Sequence, residues 1–245
     1  MSNTLKVEEL KKSFGKKEAV KGVSFSVHSG EVVGLLGPNG AGKTTTFYMM
    51  IGIINPDSGN IFLDDKNITS MPIYERARLG IGYLPQEPSI FRKLTVRNNL
   101  KAVLEIKYDG NKEAMQRIDE EVNQLLEEFN LTEFADREGY KLSGGERRRA
   151  EIARAIALRP IFMLFDEPFA GIDPLAVVEL TRTIKQLKNR GIGVIITDHN
   201  VRETLAITDR AFIIHSGKLL AEGSPDTLVN DPVVREAYLG EEFRL

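Results

Sequence analysis

The stretch that decides the fold is Val32-Val33-Gly34-Leu35-Leu36 followed by Gly37-Pro38-Asn39-Gly40-Ala41-Gly42-Lys43-Thr44. The first part is a short apolar run of strand length, and the second fits G-x-x-x-x-G-K-[ST] in full. A buried strand, a glycine turn and a helix beginning near Lys43 follow from that order. Glycines let backbone N–H groups turn inward around phosphates with no side chain in the way. Lys43 brings a point charge to the β- and γ-phosphates, the Thr44 hydroxyl can ligate Mg²⁺, and the helix adds its positive end. Gly37, Pro38, Asn39, Gly40, Ala41, Gly42, Lys43, Thr44 and the adjoining Thr45 are therefore the candidate nucleotide-binding residues, with ATP and Mg²⁺ as ligands. The competing reading, a glycine-rich turn that binds nothing, fits neither the complete motif nor its place between strand and helix.

Outward from this loop, short β-branched runs alternate with longer amphipathic stretches. Strands are expected at 161–165, 193–197 and 211–215, with helices at 174–190 and 201–206. That alternation argues an α/β layer with a mostly parallel central sheet. Runs at 5–10, 23–27 and 60–63, with turns at Ser29-Gly30 and Asp57-Ser58-Gly59, suggest an antiparallel β patch beside it. Residues 88–158 hold almost no strand signal. Helices are expected there at 96–106, 112–129 and 145–158, forming a helical subdomain inserted into the α/β core of one domain, 1–245, with a short extension at 224–245.

Composition sets outer limits. The 245 residues are 42% hydrophobic and 28% charged, and 33 basic against 35 acidic residues leave a net charge of −2. No basic excess supports a nucleic-acid partner. The absence of cysteine rules out disulfides and thiolate metal sites and fits a reducing cytoplasm. Residues 1–12 lack the apolar core of a signal peptide, and no apolar run reaches membrane-spanning length. The expectation is a soluble chain that meets a membrane only through partners.

The run Phe162-Met163-Leu164-Phe165-Asp166-Glu167 is an apolar strand closed by two carboxylates. Alone, such a pair is most often a helix cap or a solvated turn. Beside a phosphate loop it reads as Asp166 holding Mg²⁺ through water and Glu167 orienting and deprotonating the attacking water. Leu142-Ser143-Gly144-Gly145-Glu146 has the form of a capping box, Ser143 with Glu146 three residues on. A capping box does not account for Gly144 and Gly145, poor helix formers in a first turn. Glycines there suit close approach of a ligand to free N–H groups.

Residues 142–146 resemble the signature motif of the ATP-binding-cassette family, and the resemblance runs from about Leu5 to Gly223. It implies ligand-binding roles for Ser143, Gly144, Gly145 and Glu146. It also implies a Q-loop glutamine at Gln86 that contacts Mg²⁺ and senses the γ-phosphate, a D-loop aspartate at Asp173, and a switch histidine at His199. Phe14 stands where the family usually stacks a tyrosine on adenine; burial in the core is the alternative. The resemblance further implies a nucleotide site split between two copies, hence a homodimer, and separately encoded transmembrane subunits received near Ser89-Ile90-Phe91-Arg92-Lys93-Leu94. Only about a hundred residues separate phosphate loop and signature, too few for the long coiled coil of DNA-maintenance relatives. Within the family, the wordings at 145–149, 166–171, 197–205 and 238–245 resemble the ATP-binding subunits of lipopolysaccharide exporters. Those of branched-chain amino-acid importers are the near neighbours. The export resemblance implies residence on the cytoplasmic face of an inner membrane.

Overall fold

Three strands, Val32–Leu36, Phe162–Asp166 and Gly193–Thr197, are buried at every one of their five positions. Such runs, apolar on both faces, are what a parallel sheet covered on two sides requires. The computed structural model describes residues 2–109, 111–240 and 243. In chain order its strands are β1 (Thr4–Phe14), β2 (Lys17–His28), β3 (Val32–Leu36), β4 (Ser58–Leu63), β5 (Lys66–Asn67), β6 (Ile81–Leu84), β7 (Phe162–Asp166), β8 (Gly193–Thr197), β9 (Arg210–His215) and β10 (Lys218–Gly223). The helices are α1 (Lys43–Ile51), α2 (Ile73–Arg78), α3 (Val96–Lys107), α4 (Lys112–Gln116), α5 (Ile118–Glu128), α6 (Gly144–Ile156), α7 (Pro174–Asn189), α8 (Val201–Leu205), α9 (Pro225–Asn230) and α10 (Pro232–Val234).

The chain divides into two compact units, one of Met1–Tyr83 with Ile161–Leu245 and one of Leu84–Pro160. The first holds an antiparallel sheet ordered β2-β1-β4-β5 and a six-stranded sheet ordered β10-β9-β3-β8-β7-β6. In the latter, β9, β3, β8 and β7 run parallel, while β10 returns antiparallel to β9. Both the parallel sheet and the antiparallel patch expected from the sequence are present. Phe47, Met49 and Met50 of α1 join Leu5, Val27, Val33, Leu164 and Phe212 in one apolar core.

The second unit is built from α3 to α6, with short helical turns at Thr132–Phe134 and Gly139–Lys141. Here one expectation is corrected. The stretch 112–129 is not one helix: Arg117 serves as C-cap of α4 and N-cap of α5, and its amide turns back to the Ala114 carbonyl. The apolar positions Ile118, Val122, Leu125 and Leu126 all fall on α5, so only that segment has a core face to bury.

A feature not legible in the sequence anchors the C-terminal end of α1. Arg76 of α2 is fully buried, and its guanidinium donates to the Met49, Met50, Thr69 and Met71 carbonyls at 2.6, 2.8, 2.8 and 2.8 Å. Burial lowers its pKa to about 10, so it stays charged at neutral pH. A cation at a helix C-terminus offsets the negative dipole end and satisfies orphan carbonyls. Arg76→Ala would leave four acceptors without that donor. It should lower the unfolding free energy by about 3 kcal/mol or more, checked by urea denaturation monitored by circular dichroism.

Candidate active site

In the first unit, the parallel strands end together at one edge. The pairing of β7 with β8 sets Asp166 opposite Thr197, and β3 next to β8 sets Leu35 opposite Thr197. The phosphate-binding motif leaves β3 at this edge, and the acidic pair leaves β7 there. Ligand sites in such sheets lie outside the carboxyl ends of the strands.

The loop from Gly37 to Gly42 is held by backbone geometry that needs glycine. Gly37 has φ +146°, and a Cβ there would lie 1.9 Å from the Ile214 carbonyl oxygen. Gly42 has φ +105°, and a Cβ would meet the Ala19 oxygen at 2.6 Å. Gly42 is also the N-cap of α1, whose first turn has neither a capping side chain nor an acidic residue. Those amides are therefore left to a ligand or to solvent. The Lys43 ammonium donates to the Gly37 and Pro38 carbonyls at 2.6 and 3.0 Å. Burial pulls its pKa down, partly countered by the charge of Glu167. Thr44 is exposed on the same turn.

Asp166 is nearly inaccessible and accepts a 3.0 Å bond from the Thr197 hydroxyl. The rings of Tyr48 and Tyr83 pack about Phe47, at centroid distances of 6.3 and 6.1 Å. Burial first, and the Asp166 charge second, push both phenols up, so they are hydroxyl donors at neutral pH. Glu167 has φ +43°, a strained backbone for a non-glycine residue, held by its amide bond to the Thr197 oxygen at 2.7 Å. Its Oε2 lies 3.4 Å from His199 Nδ1. Asp198 is buried and bridges two loops, accepting from the Phe169 and Asn200 amides at 2.8 Å each. Burial raises the Asp198 pKa, against those two bonds and the neighbouring His199. Burial also pushes the Tyr238 phenol up. Asp173 is the N-cap of α7, accepting from the Leu175 and Ala176 amides at 3.0 Å each. Phe14 is 51% exposed, so the core alternative falls, and Lys12 Nζ lies 5.8 Å from its ring centre.

The second unit carries Gln86 and residues 143–146. Ser143 and Glu146 form a reciprocal capping box, with Ser143 N–H to Glu146 Oε2 at 2.8 Å and Glu146 N–H to Ser143 Oγ at 3.4 Å. A Cβ on Gly144 would meet nothing within 4 Å. Further along α6, three charged residues grip the segment that carries Gln86. Arg148 donates to the Pro85 carbonyl at 2.9 Å, and Arg154 donates to the Ser89 carbonyl and hydroxyl at 2.9 and 2.8 Å. Buried Glu151 accepts from the Ser89 and Ile90 amides at 2.6 and 3.2 Å. Asn99 accepts from the Phe91 amide and donates back to its carbonyl, at 2.9 and 3.1 Å. Beside this segment lies a groove of about 360 Å³, lined among others by Pro88, Ile90, Arg92, Tyr140 and Arg147. Ile90 is largely buried in its wall, whereas Phe91 is 48% exposed with Arg154 over its ring.

Residues 20–170 match the family model described as "ABC transporter". The chain belongs to the ABC transporter ATP-binding family. It is an ATPase of that family, and ATP hydrolysis powers transport. Over 245 residues it is 56% identical to the lipopolysaccharide export system ATP-binding protein LptB of Acidithiobacillus ferridurans, covering all of both chains. It is 55% identical over 242 residues to the protein of the same name from Escherichia coli strain K12, covering 99% of each. A solved ATP-binding cassette of an ABC transporter in its ADP conformation superposes with a TM-score of 0.85 at 31% identity, covering 98% of this chain and 99% of that one. Residues 218–244 match a model described as "Branched-chain amino acid ATP-binding cassette transporter". The ending read as favouring export therefore also has the form of importer endings, and the full-length identities carry the distinction. Within that ending, residues 241, 242, 244 and 245 lie outside the described residues.

Sequence reasoning missed Arg148, Glu151 and Arg154, each of which acts through a contact distant in the chain. Glu151→Ala would remove the acceptor for two backbone amides. Hydrogen exchange at Ser89 and Ile90 should accelerate by about tenfold or more, since a bond to a charged group contributes about 1.5 kcal/mol or more.

Proposed function

We propose that this chain is one of two identical ATPase subunits that power extraction of lipopolysaccharide from an inner membrane through separately encoded transmembrane subunits. The observation that carries the reading is identity of 55–56% over essentially the full length of relatives named for lipopolysaccharide export. The branched-chain amino-acid alternative rests on the C-terminal match alone.

In this reading the phosphates of ATP lie on the amides of residues 37–45, with Lys43 turning from the loop carbonyls to their charge. Phe14 offers an exposed face to the adenine. Glu167 accepts the proton of the attacking water, and His199, 3.4 Å from its carboxylate, touches the γ-phosphate. In the first unit, the exposed Thr44 hydroxyl and the Asp166 carboxylate suit a Mg²⁺ shared with phosphates. Among the described residues no cluster of three or more His, Asp or Glu would cage a metal unaided. Phosphate and water oxygens would complete the octahedral shell that Mg²⁺ demands, and the ion would neutralise charge developing on the transferred group.

Ser143, Gly144, Gly145 and Glu146 of one copy would face the nucleotide held by the other, so that ATP closes the homodimer. The groove beside residues 89–94 would receive the transmembrane subunit. Among the described residues no helix is long and apolar enough to cross a membrane, in keeping with attachment to a cytoplasmic face through partners. The net charge of −2 favours no nucleic acid.

Glu167→Gln should retain ATP binding while turnover falls by about 100-fold or more, measured by phosphate release beside equilibrium nucleotide binding. Turnover at the parent rate would remove Glu167 as the base. The cargo is tested by co-expressing the chain with its membrane partners and following lipopolysaccharide release from inner-membrane vesicles. ATP-dependent release is the expected result. Hydrolysis stimulated instead by a branched-chain amino acid and its periplasmic receptor would overturn the export reading.

A further inference from the structure

Phe14 ends β1, and that end is held differently on its two sides. Toward β2 the pairing continues to the last residue, with Ser13 opposite Glu18 and Phe14 opposite Lys17. Toward β4 the ladder stops at Lys11 opposite Ser58. Beyond that point the side chain of Asp57 takes the place of a strand. Its Oδ2 accepts from the Ser13 amide and its Oδ1 from the Lys12 ammonium, both at 2.7 Å. Its own amide donates to the Lys11 carbonyl at 2.9 Å. One residue thus grips three successive positions of β1 immediately before Phe14.

The ring of Phe14 projects from the sheet, 51% exposed, and the turn residues after it, Gly15 and Lys16, are exposed as well. The Lys12 ammonium lies over one face of this ring, 5.8 Å from its centre, and Asp57 keeps it there. The other face is left for a flat partner. Hydrogen bonds from Lys12 and then from Ser13 hold the Asp57 carboxyl below the usual carboxylate range, so it is ionised at neutral pH. An ion pair this open to water adds little to the stability of a fold, and solvent could satisfy the Ser13 amide. What water cannot supply is direction. The three bonds fix the backbone at 11–13, and with it the line along which Phe14 leaves the strand.

We propose that Asp57 is a positioning residue for the nucleobase: by gripping Lys11, Lys12 and Ser13 it sets the ring face that Phe14 presents to adenine. The inference rests on the reading in which Phe14 stacks on that base.

The test uses Asp57→Ala, Phe14→Ala and the double variant in the full chain. Calorimetry reads the binding of ADP and, in parallel, of inorganic tripolyphosphate, which has phosphates but no base. Phe14→Ala should weaken ADP binding by about tenfold, the loss of one stacked base. Asp57→Ala should weaken it by about fivefold, a part of that same contact, with tripolyphosphate binding unchanged. Added to Phe14→Ala, the Asp57 change should lower ADP affinity no further, since both act through one contact. Asp57→Asn, which still accepts from the Ser13 amide but lacks the charge facing Lys12, should show a smaller loss and stands in if Asp57→Ala fails to fold. Equal losses for ADP and tripolyphosphate overturn the inference, as do losses that multiply in the double variant. If Phe14→Ala weakens ADP binding and the Asp57 variants do not, only the positioning role fails. If Phe14→Ala leaves ADP binding unchanged, the assignment of Phe14 to the base fails, and the inference with it.

Discussion

The hydroxyl of Thr197 on the carboxylate of Asp166, 3.0 Å apart across adjacent parallel strands, is the contact on which the catalytic edge depends. It exists because β7 and β8 pair with Asp166 opposite Thr197, and a one-residue slip of either strand would put the two side chains on opposite faces. The same residue fixes Glu167, whose amide donates to the Thr197 oxygen and whose backbone sits at φ +43°. The next residue, Asp198, ties down the loop at Phe169, and the one after it is His199. Three successive positions at the end of one strand thus set the carboxylate, the strained turn and the histidine. The strand bearing them is buried at all five of its positions, so the register that aligns them is also the register the core requires.

Electrostatics at this edge are balanced by the chain's own groups. Lys43 is drawn down by burial but kept in place by two loop carbonyls and by the charge of Glu167. The amides at the start of α1 have no acidic neighbour in the first turn to satisfy them. An anion of several charges entering here meets amides with no acidic competitor, and the Lys43 ammonium would exchange its two loop carbonyls for the anion's charge.

What was legible in the sequence was local. The phosphate loop, the acidic strand end and the capping box each lie within ten residues, and each has a fixed meaning at that spacing. Buried strands were legible because both of their faces are apolar. The second unit's helices were legible where an apolar face repeats, and misjudged at Arg117, where a turn interrupts a polar stretch without glycine or proline to mark it. Helix α2 and strand β6 are six and four residues long, too short for periodicity to register. The remaining site residues were illegible for a different reason. Glu151 is separated from Ser89 by 62 positions and Arg76 from Met49 by 27, and neither residue type nor neighbours record such pairings.

Gly144 is a glycine of a different kind from those of the phosphate loop. It occupies the first turn of α6, where glycine is a poorer helix former than alanine. Its φ is not in the left-handed region, and a Cβ there would touch nothing within 4 Å. Gly37 and Gly42, by contrast, are required by the chain itself, since a Cβ at either would meet a carbonyl oxygen. The capping box already satisfies the helix start through Ser143 and Glu146, so the cap does not call for glycine either. A cost without an internal cause points outward, to something that approaches the first turn of α6 more closely than a methyl group would allow. In the proposed reading that visitor is the phosphate chain held on the loop of a second copy. The two glycine-rich segments then differ in kind: one is shaped by its own fold, the other by what must fit against it.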